Sequence, residues 1–157
     1  MQPLLANPTV IDFPSSQPIV HHSLTSLSAL QLRRDLRKTN RVITAVTGRR
    51  PRLLRPPYGA RNRRVDRVAK NLGMPEILWN VDTLDWRYPD SKRLTHTVLA
   101  SPRRGSIVLM HDAVNRSTIT AMPAIIDQLQ HRDFRLVTVS RLLGTTRPGQ
   151  VYRSARV

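Results

Sequence analysis

The chain has 157 residues, 39% of them hydrophobic, which suits one domain with a core and excludes a disordered chain. It has no cysteine, so disulfides and thiolate metal sites are excluded. No apolar run approaches the roughly 18 residues of a membrane span. Residues 1–20 lack the basic start, apolar centre and small-residue cleavage site of a signal peptide, so any export signal is expected outside this chain.

The formal charge of +16 comes from 26 Lys and Arg against 10 Asp and Glu, with arginine far in excess of lysine and a single glutamate. Such a balance points to nucleic acid, an anionic wall polymer or a compositional bias. The arginines are spread over nearly every segment rather than along one stripe, and aromatic residues make up 4%. Without a stacking platform, nucleic acid is disfavoured as a partner.

Residues 1–20 read as a poorly ordered, proline-rich arm with one short strand at Thr9–Phe13. Ser28 and Gln31 have the spacing of a capping box. A helix follows, with an apolar stripe of Leu30, Leu32, Leu36, Val42, Ile43 and Val46, and Gly48 suits its C-terminal cap. Next come a strand at Leu53–Arg55, a helix at Asn62–Leu72, a strand at Ile77–Asn80 and a helix at Ser91–Ala100. A strand ending at His111, a helix at Thr118–His131, a strand at Arg135–Val139 and a helical turn at Ser140–Leu143 complete the series. Residues 145–157 read as a frayed basic tail. Alternating strands and helices mean βαβ units on a parallel sheet, either open or part of a barrel.

Three strand ends carry residues capable of chemistry, and they are expected to face one cleft. At Arg55-Pro-Pro-Tyr58-Gly59 the prolines stiffen the chain, leaving Tyr58 the first backbone N–H, a plausible oxyanion donor, while Arg55 could hold a carboxylate. Taken alone, the stretch is better read as a proline-stiffened turn with a surface arginine. At Asp82-Thr-Leu-Asp85-Trp86, Asp85 could orient a histidine and Trp86 could form a wall for a sugar ring. The plainer reading is a capping aspartate beside a half-buried tryptophan. His111, with an ordinary pKa of about 6.5, suits a general acid. His21 and His22 are adjacent, so on a strand they face opposite sides and do not readily share a metal.

These motifs, in this order, together with Leu78–Trp86 and Gly105–Asp112, resemble the NodB-type polysaccharide deacetylases of carbohydrate esterase family four over residues 21–144. The resemblance implies the C-terminal part of a distorted (β/α) barrel, incomplete at its N-terminal end. It implies a hydrolase that removes N-acetyl or O-acetyl groups from chitin-like or cell-wall glycans, at the cell surface or outside it. Position by position, Arg55 would orient the catalytic carboxylate and the Tyr58 N–H would hold the oxyanion. Asp85 would tune His111, the acid; Trp86, Leu109 and Pro57 would line the acetyl pocket; and His21 would bind a divalent metal such as zinc or cobalt.

The family's Thr-Phe-Asp-Asp-Gly motif has no clear counterpart, Val10–Pro14 being a faint echo, and Gln17 stands where a second metal histidine is expected. Base, metal aspartate and one metal histidine are therefore unaccounted for. The resemblance thus implies an impaired deacetylase. A non-catalytic binder of acetylated polysaccharide and a basic protein binding anionic polymer are the alternatives. The missing opening unit of the barrel predicts unpaired sheet edges and self-association.

Overall fold

The computed structural model describes residues 7–12, 23–111 and 116–155. In chain order its first elements are β1 (Asn7–Asp12), α1 (Ala29–Thr47), α2 (Arg63–Asn71), β2 (Glu76–Ile77), β3 (Val81–Asp82) and α3 (Ser91–Ala100). Then follow β4 (Ile107–Leu109), α4 (Arg116–His131), β5 (Phe134–Leu136), α5 (Val139–Leu143) and β6 (Val151–Tyr152). The described residues fall into two compact units. One holds 7–12, 79–111, 116–145 and 153–155; the other holds 23–78 and 146–152.

The unit built on 23–78 begins with α1, and the capping box is present: Ser28 accepts from the Gln31 N–H while Gln31 accepts from the Ser28 N–H. Gly48, at φ 67°, closes the helix in the left-handed region that a side chain would disfavour. The buried line is Leu32, Leu36 and Thr39, narrower than expected. Leu30 and Val42 lie off that line, and Val46 sits in the last turn beyond the core residues, so all three are exposed. Asn62 caps α2 by accepting from the Arg64 and Val65 N–H groups. Helix α2 buries Val65, Val68 and Ala69 against Leu32, Leu36, Leu54 and Met74. The expected strand at Leu53–Arg55 reduces to one bridge, Leu54 to Glu76. The tail is not frayed, because β6 pairs in parallel with β2, Glu76 opposite Val151 and Ile77 opposite Tyr152.

The other unit holds a four-stranded parallel sheet in the order β3-β4-β1-β5. The N-terminal arm therefore contributes an internal strand. Val10 to Asp12 pair with Ile107 to Leu109 on one side, and Asn7 to Thr9 pair with Phe134 to Leu136 on the other. The expected opening beside a missing first strand is thus filled within this sheet. The strand predicted over Ile77–Asn80 is two strands in different sheets, β2 and β3. Helices α3 and α4 pack together over the sheet, burying Leu94, Val98, Ile125 and Leu129 against Val81, Val108 and Met110. No helix among the described residues is long and apolar enough to cross a membrane.

Candidate active site

Strand β4 is buried throughout, as a run of Ile, Val and Leu without alternation requires. The chain stays buried at Met110 and emerges at His111, whose side chain is 29% exposed. Beside it stands Asp85, with a carboxylate only 1% exposed. The His111 ring Nδ1 lies 2.8 Å from Asp85 Oδ1, and the His111 backbone N–H donates to Oδ2 at 2.7 Å. The Thr118 hydroxyl donates to the same Oδ2 at 2.8 Å, and the Trp86 N–H donates to Oδ1 at 3.0 Å. Burial pushes the Asp85 carboxyl pKa upward, but the bonds from the His111 ring and backbone and from Thr118 outweigh it. The net value lies below the ordinary carboxylate range. An ionised carboxylate can only accept, so Nδ1 carries the ring proton and Nε2 is the atom left to give or take one.

Local chain geometry brings Asp85 to His111. Asp82 accepts from the Leu84 N–H and from the Trp79 indole, and Leu84 sits at φ 53°, a left-handed conformation costly for a branched side chain. Thr83 donates to the Leu109 carbonyl, tying the loop to β4. Of the two carboxylates in this motif, Asp82 shapes the turn and Asp85 faces the histidine. Capping falls instead to Asp90, which accepts from the Lys92 and Arg93 N–H groups at the start of α3. Trp86 is 52% exposed beside this pair, and Leu109 is buried in β4.

Arg55, Pro57 and Tyr58 belong to the unit built on 23–78. Arg55 and Pro57 are buried, whereas Tyr58 is exposed and sits at φ 60° in a short 3-10 turn. The turn is closed by the Gly59 and Ala60 N–H groups, which donate to the carbonyls of Pro56 and Pro57. A non-glycine residue held in this region is the kind of strain found at functional turns.

A polysaccharide deacetylase family model matches residues 17–77. The peptidoglycan-N-acetylglucosamine deacetylase PgdA of Listeria monocytogenes is 36% identical over 124 residues, covering 79% of this chain and 26% of that protein. Among solved structures, one described as T48 deacetylase with substrate superposes with a TM-score of 0.77 at 36% identity, covering 84% of this chain and 65% of that one. Another, described as a CE4 family pseudoenzyme from Bacillus anthracis, gives a TM-score of 0.73 at 34% identity, covering 78% of this chain and 43% of that one. The family model and these relatives support a polysaccharide deacetylase domain in this chain. The chain spans about a quarter of the length of the first curated relatives it matches.

The likeness to polysaccharide deacetylases is consistent in general with a divalent metal cofactor. Among the described residues, however, no three His, Asp or Glu side chains gather as a metal would need. The expected ligand His21 lies outside the described residues, as does Gln17.

Thr118, not singled out in the sequence, belongs with the Asp85–His111 pair, and Asp12, part of the faint motif echo, ends a strand of the same sheet. Thr118 could have been found as the polar member of the buried series Thr118, Ala121, Ile125 and Leu129 on α4. Asp12 ends β1 in register with Leu109, the residue that pairs with Asp82 on its other side. It follows an apolar run, Val10-Ile11, which is the same signal that drew attention to His111.

Proposed function

We propose that the chain engages N-acetylated cell-wall glycan at the cell surface and carries the acid half of a deacetylation site. The observation that supports this best is the clasp of Asp85 on His111. With Nδ1–H held by the carboxylate, Nε2 is oriented to protonate a departing amine, and the buried negative charge favours the imidazolium that must form first. Trp86, exposed beside the pair, would offer a flat face to a sugar ring, with Leu109 as a lining residue. For Arg55 and the Tyr58 N–H, in the other unit, the roles proposed are those the resemblance implies, orienting a carboxylate and holding an oxyanion. Asp12, whose backbone ends β1 in register with Leu109, is proposed as the base. O-acetyl esters would be cleaved by the same groups, with an alcohol leaving in place of the amine.

Catalysis by this chain is expected to be slow, because the family's Asp-Asp motif has no clear counterpart and Gln17 stands where a metal histidine is expected. The test is acetate release from chito-oligosaccharides and peptidoglycan by the intact chain. The expected rate lies below the roughly 1 per second at which typical enzymes begin. His111→Ala should lower it on the order of a hundredfold further, the usual worth of a general acid. Release that His111→Ala leaves unchanged would overturn the assignment. A second reading, a binder of acetylated glycan without turnover, draws support from the relative described as a pseudoenzyme. It requires binding that His111→Ala leaves intact, Trp86→Ala weakens, and no acetate accompanies.

A further inference from the structure

Helix α1 carries Arg33, Arg34, Arg37 and Arg41 on the side away from its buried line of Leu32, Leu36 and Thr39. At 3.6 residues per turn these arginines recur once per turn, about 5–6 Å apart along the axis. Arg50, just past the Gly48 cap, joins them around a concavity of about 910 Å³. No Asp or Glu lines it. All five side chains are exposed, and none makes an ion pair or hydrogen bond with a described residue. Like charges one turn apart destabilise a helix by a few tenths of a kcal/mol each, so the fold gains nothing from this arrangement. The sequence pattern suggested arginines scattered without a stripe; α1 and the chain after it gather five into one basin.

We propose that this arginine-lined basin binds a linear phosphodiester polymer that lacks bases, of the polyol-phosphate kind. Guanidinium forks pair two N–H groups with two phosphate oxygens. Arginines repeating turn by turn match an anion that also repeats, whereas one small oxyanion would engage only one or two of them. No Phe, Tyr, Trp or His lines the basin, which removes the stacking that single-stranded nucleic acid uses. A concave floor admits a thin chain better than a convex duplex. The site shares no residue with the Asp85–His111 pair and goes beyond the deacetylation reading. Its success or failure is read without any turnover.

The experiment titrates the full chain against a fluorescently labelled glycerol-phosphate oligomer at several salt concentrations. Binding should weaken linearly on a log–log plot as salt rises, through counterion release. Replacing three arginines, R33Q/R37Q/R41Q, should cost about tenfold or more in affinity and flatten the salt slope by about two. R103Q/R104Q/R135Q, which removes the same charge elsewhere, should leave affinity within about twofold. All six positions are exposed, glutamine keeps helix propensity at the three on α1, and circular dichroism verifies the fold. Should the triple variant unfold, R37Q alone is read, with a proportionately smaller loss. Equal losses in the two triple variants would reduce the effect to net charge and overturn the site. So would absence of binding at low salt. A single-stranded oligonucleotide of equal phosphate number binding as tightly would overturn the choice of occupant.

Discussion

Burial alone would raise the Asp85 pKa, and the donors gathered on its carboxylate reverse that. Since the folded pKa is depressed, its contribution to stability is present above the unfolded value near 4 and is lost as pH falls through the folded value. Asp85→Asn should therefore remove part of the acid-unfolding limb. It should also move the His111 titration to lower pH, because the imidazolium loses its counter-charge; an NMR titration of the ring reads this directly. Thr118→Val takes away one donor and should destabilise the fold by about 1–2 kcal/mol. It should raise the Asp85 pKa, seen as acid unfolding that starts at higher pH, while Thr118→Ser restores both. If Val and Ser behave alike, the hydroxyl is not what holds Asp85.

Strand β2 contains the chain's single glutamate, and Glu76 is fully buried. The Arg61 Nε lies 3.5 Å from its carboxylate, while the Arg61 Nη2 is engaged at 2.8 Å with Asp66. Burial and the neighbouring Asp66 charge raise the Glu76 pKa to about 7, with Arg61 opposing them. Between about 4.5 and 7 the folded state keeps a proton that the unfolded chain releases. Stability from this group is full below that window and falls as pH rises through it, by up to about 3 kcal/mol. Glu76→Gln should flatten that slope and raise the melting temperature at pH 8 more than at pH 5, which a melt series at both values tests. The same strand shows where the sequence stopped being informative. Helices announce themselves by caps, and Ser28, Asn62 and Gly48 do what their types suggest. Ile77–Asn80 reads as one apolar run, yet it leaves one sheet after Ile77 and enters another at Val81, because periodicity reports burial but not partner. Strand β6 has only Val151 and Tyr152 beside arginine-rich neighbours, too little pattern to separate it from a tail. At the site, the motifs pointed to Asp85 and His111, but Thr118 is joined to them only by folding.

At the scale of the whole chain, the decisive feature is the return of the N-terminal strand to the middle of the β3-β4-β1-β5 sheet. The sequence showed a strand near Thr9–Phe13 but not its place, because its partners lie at Ile107–Leu109 and Phe134–Leu136 and carry no local mark of the pairing. Without β1, both β4 and β5 would lose a neighbour and expose rows of N–H and C=O groups, the usual template for association. With β1 in place, the outer strands of this sheet are β3 and β5, only two and three residues long, and edges that short recruit other chains poorly. Ile11 pairs with Val108 near the middle of the β1–β4 ladder. Proline there removes an N–H and fixes φ near the helical value, which a central strand does not tolerate. Ile11→Pro should therefore cost about 3 kcal/mol or more. It should also increase concentration-dependent association by sedimentation relative to the unmodified chain, whereas Ile11→Val should change neither melt nor association. An Ile11→Pro chain with unchanged association and an unchanged melt would place β1 outside the cooperative fold, and Asp12 with it outside the proposed site.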